Sequence, residues 1–191
     1  GRNVTLFEAT DRLGGRVASV HPPGLDHPVD NCTHAAFRVY DRFLQLMGRI
    51  GAQDGFRIQP RTVMPFLDPE HEVIHRIVDS SKFSPPFHLM PSLLTFKPLK
   101  VKERIGLRRA VKALRRLDPR DPQLDGRDFQ NWLEEHDQAP STIERFWAPF
   151  VLAALNVPPD RASAALAIFL FQRGLFSSRS AFDAITFGSD L

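Results

Sequence analysis

Val4-Thr5-Leu6-Phe7-Glu8-Ala9-Thr10-Asp11-Arg12-Leu13-Gly14-Gly15-Arg16 is the stretch on which the fold turns. Its first four side chains are apolar or β-branched and predict a short buried strand. Glu8 ends that strand, and Arg12-Leu13-Gly14-Gly15-Arg16 predicts a turn whose backbone a ligand can approach closely. An acid at the tip of a parallel strand is the usual acceptor for the ribose hydroxyls of an adenine dinucleotide. Adjacent glycines open main-chain N–H groups to a pyrophosphate, and Arg16 adds a planar fork of donors. The plainer alternative is a solvated strand end followed by an ordinary glycine turn.

The dinucleotide reading carries a consequence. The Gly-rich G-x-G-x-x-G loop of such folds lies about 20 residues before the acid, yet only seven residues precede Glu8. The chain is therefore expected to hold the second strand and its loop without the first, as an internal piece of a longer protein.

With 191 residues the chain is long enough to bury a real core as one or two domains. Sixteen Phe against one Tyr and two Trp predict either a large core or apolar surface facing something greasy. One Cys excludes an internal disulfide and fits a reducing compartment. No run of about 18 apolar residues occurs, so no transmembrane helix is expected. The net charge of +3 is uneven: residues 97–120 hold ten Lys or Arg and two acids.

Along the chain, strands are expected at 17–20 and 27–31 around His21-Pro22-Pro23-Gly24. A helix is expected over 35–50, closed by Gly51. Segments 62–67 and 72–78 predict a β-hairpin, and Pro-rich 84–91 predicts a loop. Helices are expected at 92–96, 101–117, 126–136, 141–155 with a kink or break at Pro149, and 160–173 with Asp160 as N-cap. Helix 101–117 sets Val101, Ile105, Val111, Leu114 and Leu117 against seven cations. It predicts contact with an anionic membrane surface or a solvated helix packed by its apolar stripe. Nucleic acid is not expected as a partner, because no aromatic residues interleave with the charges.

Two further patterns are set aside. His71-Glu72-Val73-Ile74-His75 spells a zinc-protease motif, but that chemistry needs a helix. The β-branched residues around it predict a strand, with the two His roughly 13 Å apart. Cys32 beside Thr33 and His34 suggests a thiol with a base, yet no orienting group is evident and a buried inert thiol is the commoner case.

Strand, Glu8, spacer and Gly14-Gly15-Arg16 together resemble the second strand and following loop of flavin adenine dinucleotide (FAD) proteins of the amine oxidase and phytoene desaturase type. Asp30-Asn31-Cys32-Thr33-His34, Pro86-Phe87-His88-Leu89-Met90-Pro91-Ser92 and Phe146-Trp147-Ala148-Pro149-Phe150 are similar to stretches of the hydroxysqualene dehydroxylases of hopanoid biosynthesis. Ala154-Leu155-Asn156 and Ala162-Ser163-Ala164 add to that likeness, which runs from Val4 to about Phe176. Thr33 stands where those proteins usually have Gln, and residues 182–191 match nothing in them.

The resemblance implies an α/β protein: a partial Rossmann-like FAD-binding segment (1–55), then a β-hairpin and a mainly helical substrate domain (56–191). It implies FAD as cofactor, with Glu8 and Ala9 near the ribose and Gly14, Gly15 and Arg16 near the pyrophosphate. Asn31, Cys32, Thr33 and His34 would lie towards the flavin ring, and the helical half would wall an apolar tunnel for a long isoprenoid. The implied reaction is reductive removal of the hydroxyl of hydroxysqualene to give squalene, in a cytoplasmic protein peripheral to the membrane. Carotenoid desaturation and amine oxidation remain as alternatives, although amine oxidases usually place Arg where Thr10 stands. A third alternative is a non-catalytic remnant that associates with membrane or lipid. No acid or base is assigned, and FAD binding by residues 1–191 alone is expected to be weak or absent.

Overall fold

In the computed structural model, residues 3–30, 34–68 and 71–187 are described. The described strands are β1 (Ser19–Val20), β2 (Val29–Asp30), β3 (Ala35–Phe37), β4 (Phe56–Ile58), β5 (Val63–Asp68), β6 (Val73–Val78) and β7 (Ala184–Phe187). They fall into two units, the first drawn from 1–59 and 184–191 and the second from 60–183.

In the first unit, Val4 to Phe7 are not a buried strand: Val4 is 84% and Phe7 89% exposed. Apolar, β-branched sequence makes a strand only where a neighbour takes its N–H and C=O groups, and no described strand pairs with this segment. The predicted turn around Pro22 and Pro23 does form, joining β1 to β2 with Ser19 opposite Asp30. The helix expected from residue 35 starts later, as α1 (Asp41–Arg49). Ala35, Ala36 and Phe37 instead pair with β7, Ala36 facing Ile185, and both of those side chains are buried. β4 lies on the other edge of β7, giving an antiparallel order β3-β7-β4.

The second unit opens with the expected hairpin, β5 against β6, in register from Val63–Val78 to Asp68–Val73. Helices follow: α2 (Met90–Leu94), α3 (Val101–Leu114), α4 (Pro122–Asp125), α5 (Phe129–Glu135), α6 (Pro140–Thr142), α7 (Ala148–Leu155) and α8 (Ala164–Leu170). The Ser92 hydroxyl donates to the Val78 carbonyl at 2.8 Å and accepts the Val78 N–H, tying α2 to β6. Asp128 caps α5 by accepting the Asn131 N–H at 2.8 Å. The cap of α8 is Ser163, whose side chain accepts the Leu166 N–H, rather than the expected Asp160.

Helix α3 buries Leu107, Ala110 and Leu114 and leaves Val101 and Ile105 exposed. Of the predicted stripe only Leu114 is buried, Val111 and Leu117 are half-buried, and Leu107 and Ala110 complete the core-facing side. Glu103 accepts the Lys100 N–H at 2.6 Å and bonds the Ser141 hydroxyl, pinning the start of α3 to α6. Pro149 does not break its helix. It sits in the first turn of α7, directly after a π-helical segment, Ile143–Trp147, whose wider turn accommodates the missing N–H. A second π segment, Phe171–Leu175, continues α8. The core joins Phe129, Trp132, Trp147, Phe150 and Phe171, with Trp147 and Phe171 edge to face at 4.9 Å.

Candidate functional site: a glycine turn and an apolar cavity

The Glu8–Arg16 stretch folds as a self-bonded turn. One Glu8 carboxylate oxygen, Oε1, accepts the Thr10 N–H and lies within hydrogen-bond distance of the Thr10 hydroxyl, both at 2.9 Å. The backbone N–H and then the hydroxyl of Thr10 hold the Glu8 carboxyl below its ordinary range, so it stays charged. Arg12 donates to the Gly15 carbonyl at 2.8 Å, and the Val17 N–H reaches the Gly14 carbonyl. Gly14 has φ +103° and Gly15 φ +59°, both in the region that favours glycine. A Cβ on Gly14 would stand 2.7 Å from the Val17 carbonyl oxygen, whereas the space beside Gly15 is open. Ala9 and Arg16 are exposed.

Of the second predicted cluster, Asn31, Cys32 and Thr33 lie outside the described residues. His34 donates its N–H to one Asp30 oxygen at 3.0 Å and sets its ring Nδ1 2.6 Å from the other. Asp30 therefore fixes the imidazole from the end of β2, an arrangement that the sequence reading did not single out.

His71 and His75 are closer than a continuous strand would put them. Glu72 has φ +52°, which turns His71 off the strand, and both rings approach the same Asp68 oxygen, at 3.0 and 3.8 Å. Among the described residues no group of three metal-ligating side chains is placed to hold an ion.

A cavity of about 680 Å³ lies within the second unit. That falls within the range of about 300–1,000 Å³ usual for small-molecule sites. Leu89, Leu93 and Leu107 form part of its apolar wall, and the two π segments supply Phe146, Trp147, Phe171 and Leu175. Arg104, Arg108, Lys112, Arg115 and Arg116 stand along one side. The apolar tunnel that the resemblance implies for the helical half has its counterpart here, but the sequence did not disclose which rings line it, because the π turns that aim them leave no pattern. No described helix is long and apolar enough to cross a membrane.

The family model for flavin-containing amine oxidoreductases matches residues 1–183. The chain belongs to that family. No curated protein matches it significantly. Membership makes this a flavin-dependent oxidoreductase sequence, with FAD the cofactor the family implies. The Glu8–Arg16 turn fits the dinucleotide half of FAD in kind: a charged carboxylate, left-handed glycines with open space at Gly15, and an exposed guanidinium.

Proposed function

We propose that this family member acts on a long isoprenoid, and specifically that it removes the hydroxyl of hydroxysqualene reductively to give squalene for hopanoid synthesis. The observation that carries the reading is the aromatic-walled cavity of the second unit, whose apolar wall suits a hydrocarbon chain. The likeness of residues 30–34, 86–92, 146–156 and 162–164 to hydroxysqualene dehydroxylases supports the same substrate. FAD, when bound, supplies the hydride.

The chain's own residues then have distinct tasks. Glu8 accepts ribose hydroxyls through the Oε2 oxygen that Thr10 leaves alone, while Gly15 and Arg16 meet the phosphates. In the cavity, Leu89, Leu93 and Phe146 exclude water and hold an apolar chain. Oxidation of a protonated amine is disfavoured there, because the cations along one wall repel an ammonium group. Incubation of the complete product of the reading frame with FAD, a reductant and hydroxysqualene tests the reading. Squalene is the expected product; conversion of phytoene under oxidising conditions, with no squalene from hydroxysqualene, would replace it with carotenoid desaturation.

A further inference from the structure

The cations along the cavity have nothing to do in a site for a neutral hydrocarbon. Arg104 is used structurally, donating to the carbonyls of Leu99 and Leu94 at 2.8 and 2.6 Å. Arg109, on the same helix but not in the cavity wall, pairs with Asp137. By contrast, the side chains of Arg108, Lys112, Arg115 and Arg116 meet no hydrogen-bond acceptor or carboxylate among the described residues, and all four are exposed. Arg108 and Lys112 are one turn apart on α3, Arg115 follows Lys112 by three on the same face, and Arg116 lies in the tightened turn that ends the helix, so together they border the cavity as one ridge. At the helical rise this ridge spans roughly 12 Å. It borders an apolar recess walled by Leu89, Met90, Leu93 and Phe146.

We infer that this cavity binds a single-chain amphiphile with a phosphate headgroup, the chain lying in the aromatic recess and the phosphate on the Arg108–Lys112–Arg115–Arg116 ridge. Guanidinium groups match phosphate oxygens in fork geometry, and several cations share one doubly charged head. A lone chain also fits better than a bilayer face. Leu89, Phe146, Trp147 and Phe171 line a recess behind the ridge, with Phe87, Leu94 and Ile105 exposed among its lining, and Leu107, Ala110 and Leu114 are already buried in the core. π-helical turns recur at functional sites, and here both of them contribute to the cavity wall. The amphiphile would compete with hydroxysqualene for this one cavity, but its test is separable from the redox reading because neither flavin nor reductant enters it.

Isothermal titration of the complete protein with monomeric dodecyl phosphate supplies that test. One molecule is expected to bind per chain. Dodecyltrimethylammonium and inorganic phosphate should each bind at least about a hundredfold more weakly, one lacking the anion and the other the chain. Changing Arg108→Gln, Lys112→Gln, Arg115→Gln and Arg116→Gln together should weaken dodecyl phosphate at least about tenfold with the unfolding midpoint unchanged. Leu93→Trp, which fills the recess from the other side, should weaken it comparably. Equal affinity for the ammonium amphiphile, or undiminished binding by the Gln variant, would overturn the inference. So would binding to phosphatidylglycerol vesicles without binding to the monomer, which would make the ridge a membrane contact instead.

Discussion

His88 is the buried titratable group with most to say about stability. It is almost wholly inaccessible, and its Nδ1 finds no hydrogen-bond partner among the described residues. Burial holds its pKa below the ordinary 6.5, against the opposing pull of Asp79. Above that pH both folded and unfolded chains carry it neutral, so it costs nothing. As the pH falls through about 6.5 the unfolded chain takes up a proton that the folded chain refuses, and stability drops. Urea midpoints measured from about pH 7.5 to 5 should therefore fall for wild type and fall less for His88→Leu. Gly14 is the other decisive residue. At φ +103°, with the Val17 carbonyl where a Cβ would go, Gly14→Ala should distort the turn and lower FAD affinity by about tenfold or more. Titration of flavin fluorescence reads that loss. The left-handed Gly14 and Gly15 were legible in the sequence because a turn's geometry is local. The exposure of Val4 and Phe7 was not, since whether a segment becomes a strand depends on a distant neighbour.

At the scale of elements, the sequence disclosed what repeats at short range. Two runs rich in apolar and β-branched residues on either side of Asp68-Pro69 gave the β5–β6 hairpin, and the helical spacing of apolar residues gave α3. It missed the start of α1, where Ala35 to Phe37 follow β7 instead of their own helical periodicity. It also missed the two π segments, whose geometry answers to packing around Trp147 and Phe171. Gln138 is the polar peg of that packing. Its Oε1 accepts the Trp147 indole N–H at 3.1 Å, and its Nε2 donates to the carbonyls of Gly106 and His136. Gln138→Leu strands those buried groups and should cost about 3 kcal/mol of unfolding free energy, read from denaturant midpoints. Gly174 admits the Phe182 ring directly over its Cα, so Gly174→Ala forces that ring aside and should cost about 1–3 kcal/mol by the same measurement. Both costs belong to the second unit, which contains the cavity.

For the whole molecule, a flavin oxidoreductase sequence supplies two kinds of apparatus. The first unit offers a charged carboxylate, bare backbone and a guanidinium in one turn; the second offers an apolar chamber edged with cations. The family was readable from residues 4–16 because a dinucleotide demands those residue types at that spacing. An apolar chamber in the helical half was implied by the resemblance, but its lining was not readable, because its walls come from α2, α3 and two π segments far apart in the chain. The Glu8–Arg16 turn is proposed to grip FAD, which the FAD dissociation constants of the complete protein and of its Glu8→Gln and Arg16→Gln variants test. The account predicts saturable binding by wild type and a loss of roughly tenfold or more in each variant, with unfolding midpoints unchanged. Wild-type affinity retained in both variants would contradict it.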